Sequence, residues 1–133
     1  MDSATREAVR QRALERCEYC QLPEWAHERT FHVEHIIAKQ HDGSDDDTNL
    51  ALACDRCNLY KGPNLSSIDP LTVQIVTLFH PRRDQWSEHF RLRSAVLEGL
   101  TPTGRATVRL LQMNAWRRVQ LRRKIGMTDQ TVT

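Results

Sequence analysis

Apolar and polar positions alternate along this chain in short blocks, which predicts many small elements rather than a few long ones. Ala4, Ala8, Val9, Ala13 and Leu14 recur at helical spacing, so residues 3–16 read as a helix with Ser3 as its cap. Cys17-Glu18-Tyr19-Cys20 then forms a tight knuckle, and Pro23 blocks any helical continuation. Residues 31–37 are rich in β-formers and read as a strand. Gly43, Ser44 and three consecutive aspartates mark residues 40–48 as a loop, and Asn49 to Ala53 returns as a short apolar segment. Residues 55–61 fit a short helix stopped by Gly62 and Pro63. The centre of the chain is thus strand, loop, strand, helix.

Further on, residues 66–70 read as a connector and residues 71–79 as a strand, followed by a turn at 81–84. Residues 89–98 alternate like one more strand, ending at Gly99. Thr101 and Pro102 supply a cap and a first-turn proline for a helix expected to reach about Ile125. Val108, Leu111, Ala115 and Val119 would be its buried stripe. The pattern holds no internal repeat.

At 133 residues with 6% aromatics, the chain has material for one domain with a thin core, to which a structural metal would add. No apolar run approaches the roughly 18 residues of a membrane span, and the N-terminus carries no signal-peptide pattern. A cytoplasmic protein with reduced thiols is the expectation. The net charge of +2 conceals an asymmetry: residues 31–70 carry −4 and residues 71–133 carry +7. An acidic site beside a basic binding surface fits that division, as does a solvated helix face.

Four cysteines in two Cys-x-x-Cys pairs, Cys17/Cys20 and Cys54/Cys57, have the spacing of a tetrahedral zinc site. The 33 residues between the pairs make the metal a tie across an inserted unit. An iron site, a redox pair or free core cysteines are the alternatives, though one redox pair leaves the other unexplained. Four thiolates would fill the shell, so such a zinc is structural.

Between the pairs lie His32-Val33-Glu34-His35-Ile36-Ile37, then Gly43 to Leu50 with Asn49 inside it, then Cys54-Asp55-Arg56-Cys57-Asn58 running to Lys61-Gly62. In order, spacing and residue type together, residues 17–65 resemble the HNH endonuclease family, in its four-cysteine branch. The resemblance implies an α+β fold with a ββα-metal core braced by zinc; with the charge division, that core is set in residues 1–66, and residues 67–133 form a basic strand-and-helix extension packed on the same domain. It implies His35 as general base, Asn49 as the residue orienting the loop that carries it, and Glu34 and Asn58 as ligands of a catalytic divalent ion. Glu34 stands where the family usually has Asp. Mg²⁺ or Mn²⁺ suits oxygen ligands with an incompletely filled shell. An imidazole, which titrates near neutral pH, is a natural activator of water for phosphodiester hydrolysis.

His32, His41 and Lys61 are further candidates for metal or phosphate contact, and aspartates 45–47 read as a solvated loop. Arg117, Arg118, Arg122, Arg123 and Lys124 form a candidate cluster for the DNA backbone. Trp86 and Phe90 read as buried rather than base-stacking. No helix-turn-helix or second zinc finger specifies a DNA sequence. Double-stranded DNA is the expected partner, with a homodimer or a targeting partner left open. Two other readings are a zinc-stabilised nucleic-acid-binding module without catalysis and a small protein-interaction domain.

Overall fold

The computed structural model describes residues 1–129 and divides into two compact units. The first comprises Met1–Pro63 together with His80–Arg83. The second comprises Asn64–Phe79 and the described residues from Asp84 onward. Composition had placed the division after residue 66.

In the first unit, α1 (Ser3–Arg12) is capped by Asp2, whose Oδ1 accepts from the Thr5 amide at 2.8 Å. The cap is therefore Asp2 rather than Ser3, and the helix is shorter than residues 3–16. It ends because Leu14 and Glu15 take φ values of 56° and 55°, which reverse the chain into the zinc knuckle. Leu14 consequently points to solvent, while Val9 is buried. Basic residues at the helix end tie it to its neighbours. Arg10 holds Glu24 through Nε at 3.2 Å and a terminal guanidinium nitrogen at 2.6 Å, and Arg12 donates to the carbonyls of Asp47 and Leu50 at 3.0 and 2.7 Å.

Strand β1 (His32–His35) pairs antiparallel with β2 (Leu50–Ala53), with Glu34 opposite Ala51 and His35 opposite Leu50. All four β2 residues are buried. The free edge of β2 is closed by the knuckle: the Glu18 amide donates to the Leu52 carbonyl at 2.9 Å, and Glu18 Oε2 accepts from the Leu52 amide at 2.8 Å. A covered edge cannot template pairing with another chain. Helix α2 (Asp55–Lys61) follows at once, capped by the Cys54 thiol and ended by Gly62 at a φ of 49°. It packs on β1, which completes a ββα unit.

The second unit contains two hairpins and three helices. β3 (Ser66–Ile68) pairs with β4 (Ile75–Thr77), so the expected connector contains a strand, and the strand expected over 71–79 is confined to Ile75–Thr77 after a turn at Leu71 and Thr72. The reason is Asp69. Its carboxylate accepts from the Leu71 amide at 3.1 Å and the Thr72 hydroxyl at 2.9 Å, and it meets the Arg105 guanidinium in two contacts of 2.9 Å. One helical turn, α3 (Trp86–His89), leads into β5 (Phe90–Arg93) and β6 (Val96–Gly99). The single strand expected over 89–98 is thus a hairpin. Ser94 and Ala95, at φ 50° and 66°, supply the two left-handed positions that a two-residue turn demands, without the usual Asn-Gly signature. Phe90 is buried and Trp86 packs against it, with ring centroids 5.1 Å apart.

Thr101 caps α4 (Pro102–Leu110) as its sequence indicates, accepting from the Gly104 amide at 3.0 Å. Gly104 has no alternative, since a Cβ there would lie 2.1 Å from the His89 carbonyl oxygen. The long helix expected to residue 125 breaks after α4 and resumes as α5 (Trp116–Lys124), with Gln112 at φ 48° between them. Two buried arginines stabilise the break. Arg118 donates to the Leu111 and Gln112 carbonyls at 2.6 and 3.1 Å, and Arg122 to those of Ala95 and Met113. Cations suit a helix C-terminus, where the carbonyls lack partners.

Arg105, foremost among the causes, holds the buried Asp69 carboxyl well below the usual carboxylate range. A carboxyl depressed by folding contributes stability above its unfolded value, about 3.9, and loses it as pH falls toward its native value. Arg105→Met is therefore expected to lower the melting temperature at pH 7, with the gap from wild type narrowing progressively below about pH 4. Thermal melts at pH 7 and pH 2 check this, and an equal gap at both would contradict it.

Candidate metal and catalytic site

The knuckle after α1 brings Cys17 and Cys20 against Cys54 and Cys57 at the start of α2. The four Sγ atoms lie within 4.8 Å of one another and all four residues are buried. Cys20 and Cys54 have their sulfurs 3.7 Å apart. Four thiolates around a zinc at about 2.3 Å have sulfurs about 3.8 Å from each other, so the cluster fits a zinc site. Burial, foremost, pushes the Cys17 and Cys57 thiols up. A bound cation reverses that preference, because it binds the thiolate form.

His35 closes β1, and the chain that leaves it is clamped by Asn49. The Asn49 Oδ1 accepts from the Ile37 amide at 2.8 Å, while Nδ2 donates to the Ile37 and Ser44 carbonyls at 3.0 and 2.8 Å. Gly43 closes the same loop, where a Cβ would meet the Ile37 carbonyl oxygen at 1.6 Å. The His35 ring is partly exposed and its Nε2 donates to Asp45 Oδ1 at 2.8 Å. Asp45 also receives Lys39 Nζ at 2.7 Å. Lys39, then His35, hold the Asp45 carboxyl down at about 2. Asp45 is thus engaged with His35 rather than merely solvated. Three adjacent aspartates gave no periodic signal to single it out, although a carboxylate between His35 and Asn49 was visible.

Glu34 points the other way, into the unit. Its side chain is 6% exposed, and Oε2 lies 3.5 Å from Lys61 Nζ, which in turn donates to the Ile36 carbonyl at 2.9 Å. Lys61 is therefore buried beside Glu34. Burial, foremost, raises the Glu34 carboxyl, with Lys61 and Tyr19 opposing. Its Oε1 is fully buried, and the carboxylate takes hydrogen bonds from Tyr19 and Lys61. Asn58 lies one turn before Lys61 on the same side of α2. His32 does not share the environment of Glu34: it is exposed, and its Nε2 donates to Asp55 Oδ1 at 3.1 Å. His41 lies on the exposed surface of the loop.

The basic cluster of the second unit is smaller than its sequence indicates. Arg117, Arg123 and Lys124 are exposed on α5, but Arg118 and Arg122 are buried and bonded to carbonyls, which withdraws them from contact with a backbone phosphate.

A β-hairpin and helix closed by a four-cysteine cluster that fits zinc define a ββα domain with a histidine at the strand end. Residues 17–64 match the HNH endonuclease family, so the chain carries an HNH endonuclease domain over this segment. Comparisons with curated proteins and with solved structures return no match. The domain implies a nuclease-type function on nucleic acid. No helix among the described residues is long and apolar enough to cross a membrane.

Asn49→Ala is expected to free the Ile37 amide and the loop after it, at a cost of about 1–3 kcal/mol. Hydrogen exchange at Ile37 and Gly43 should accelerate while the zinc content stays unchanged. Unchanged exchange at Ile37 would contradict the clamp.

Proposed function

We propose that the protein is a metal-dependent endonuclease that hydrolyses phosphodiester bonds of double-stranded DNA. The observation that carries this reading is His35, set at the strand end of an HNH domain with its ring held by Asp45 and its loop clamped by Asn49. With Nε2–H donating to Asp45, the lone pair of the ring is on Nδ1, the nitrogen able to take a proton from water. Asp45 stays ionised at neutral pH and keeps the ring in that tautomer. Asn49 keeps the ring from swinging with its loop.

Glu34 and Asn58 are the residues that would hold Mg²⁺ or Mn²⁺. The oxygen donors of both side chains suit such an ion, and Asn58 lies one turn before Lys61, which meets Glu34. When bound, the ion would offset the negative charge that develops on the phosphate and the leaving 3′ oxygen. On α5, the exposed Arg117, Arg123 and Lys124 are the remaining candidates for the DNA backbone. Reduced cysteines holding zinc suit a cytoplasmic setting. A second protomer or a targeting partner would supply double-strand cutting or sequence choice.

Lys61 favours a second reading. An ammonium 3.5 Å from Glu34 already supplies a positive partner for that carboxylate, which fits a zinc-stabilised nucleic-acid-binding module without catalysis.

Supercoiled-plasmid cleavage with Mg²⁺ or Mn²⁺ separates the two. Wild type is expected to nick or linearise the plasmid, and His35→Ala to lose about 10²- to 10⁴-fold in rate, the range for a general base, with zinc content and circular dichroism unchanged. Equal rates would overturn His35 as base, and salt-sensitive binding without cleavage by wild type would favour the binding module.

A further inference from the structure

The zinc-braced unit is discontinuous in sequence, because His80–Arg83 returns to it. Two sets of contacts fix this segment. Arg82 pairs with Glu18, the residue after the first zinc cysteine and the one that closes the edge of β2. His80 shapes the turn, its Nδ1 accepting from the Arg82 and Arg83 amides at 3.1 and 3.2 Å and its carbonyl accepting from the Arg83 amide at 3.1 Å. Arg82 and His80 are thus committed to holding the segment. Arg83 is exposed and makes no ion pair among the described residues.

The segment walls a cavity of about 460 Å³, and the opposite wall is the loop that Asn49 clamps behind His35. Its lining residues include Arg83, His41 and Thr48, whose side chains carry hydrogen-bond donors, and one acidic residue, Asp42. A donor-rich wall with one acid selects an anion, and a guanidinium suits phosphate geometry. The volume falls in the range of about 300–1,000 Å³ typical of ligand pockets, which is room for a phosphodiester with its sugars rather than a lone ion. The loop wall begins two residues after His35, so an occupant would lie along the strand near the reacting phosphate.

We infer that this cavity is a backbone subsite that seats a phosphate of the DNA strand beside the one cleaved, with Arg83 and His41 as its contacts. The inference rests on the nuclease reading above and adds to the HNH segment a recognition element from outside it. Neither residue is placed in the chemical step.

The test is binding of a fluorescent DNA duplex by the full chain, without divalent ion, across a series of salt concentrations. Arg83→Ala is expected to weaken binding about tenfold at low salt and to reduce the slope of log affinity against log salt by about 1. Arg83→Lys should restore most of the slope, and Arg6→Ala, a charge of α1 outside the cavity, should leave it unchanged. Inorganic phosphate at matched ionic strength should displace the duplex only weakly. Equal slopes for wild type and Arg83→Ala would overturn the subsite, and if wild type still cleaves plasmid the nuclease reading survives that loss. A slope lost equally in Arg6→Ala would reduce the effect to net charge and overturn the site. Tight capture of inorganic phosphate would reassign the cavity to the free ion. Wild type that neither binds nor cleaves would overturn both readings.

Discussion

Four cysteines buried with their sulfurs within 4.8 Å of one another fit a cation that would hold them as thiolates, and the first unit is built around that cluster. Cys17 and Cys20 sit where α1 has just ended, and Cys54 and Cys57 where α2 has just begun. A metal at the cluster therefore joins the two ends of the segment that holds the β1–β2 hairpin. With so few aromatics in the chain, such a tie supplies what a larger apolar core would otherwise provide.

From that tie the remaining contacts follow in order. Glu18, fixed by its neighbour Cys17, closes the edge of β2 and anchors Arg82. Beta pairing sets His35 opposite Leu50, one residue from Asn49, and that spacing lets the Asn49 amide reach back to Ile37. The loop so clamped presents Asp45 to His35 on the outside of the hairpin, while Glu34 turns inward to Lys61 on α2. Alternation along one strand thus separates a partly exposed histidine from a buried carboxylate. The second unit is organised differently. There Asp69 and Arg105 fix one hairpin, and Arg118 and Arg122 fix the junction of two helices.

The four-cysteine core was legible because its signals are local and chemical: paired cysteines, a glycine and proline after α2, and β-formers around His35. The second unit was not, because its signals are tertiary. Nothing in Ser94-Ala95 announces a tight turn, and nothing in the arginine pairs of α5 distinguishes those that face water from those that face carbonyls. The break between α4 and α5 depends on such buried guanidiniums, so helical periodicity ran straight through it. Within the site the outcome was similar. His35, Asn49 and the cysteines stood out by type and spacing, whereas the Asp45 contact depends on how a loop folds back, and the Lys61 contact on which side of β1 meets α2.

A zinc bound by the four cysteines is expected to hold the hairpin on which His35 sits. Titrating the thiols with a mercurial, while following zinc release and amide exchange together, tests it most directly. One zinc per chain should leave as the thiols react, with protection lost in β1, β2 and α2 and kept in β5, β6 and α4. Absence of zinc, or its release with β1 and β2 still protected, would contradict the claim.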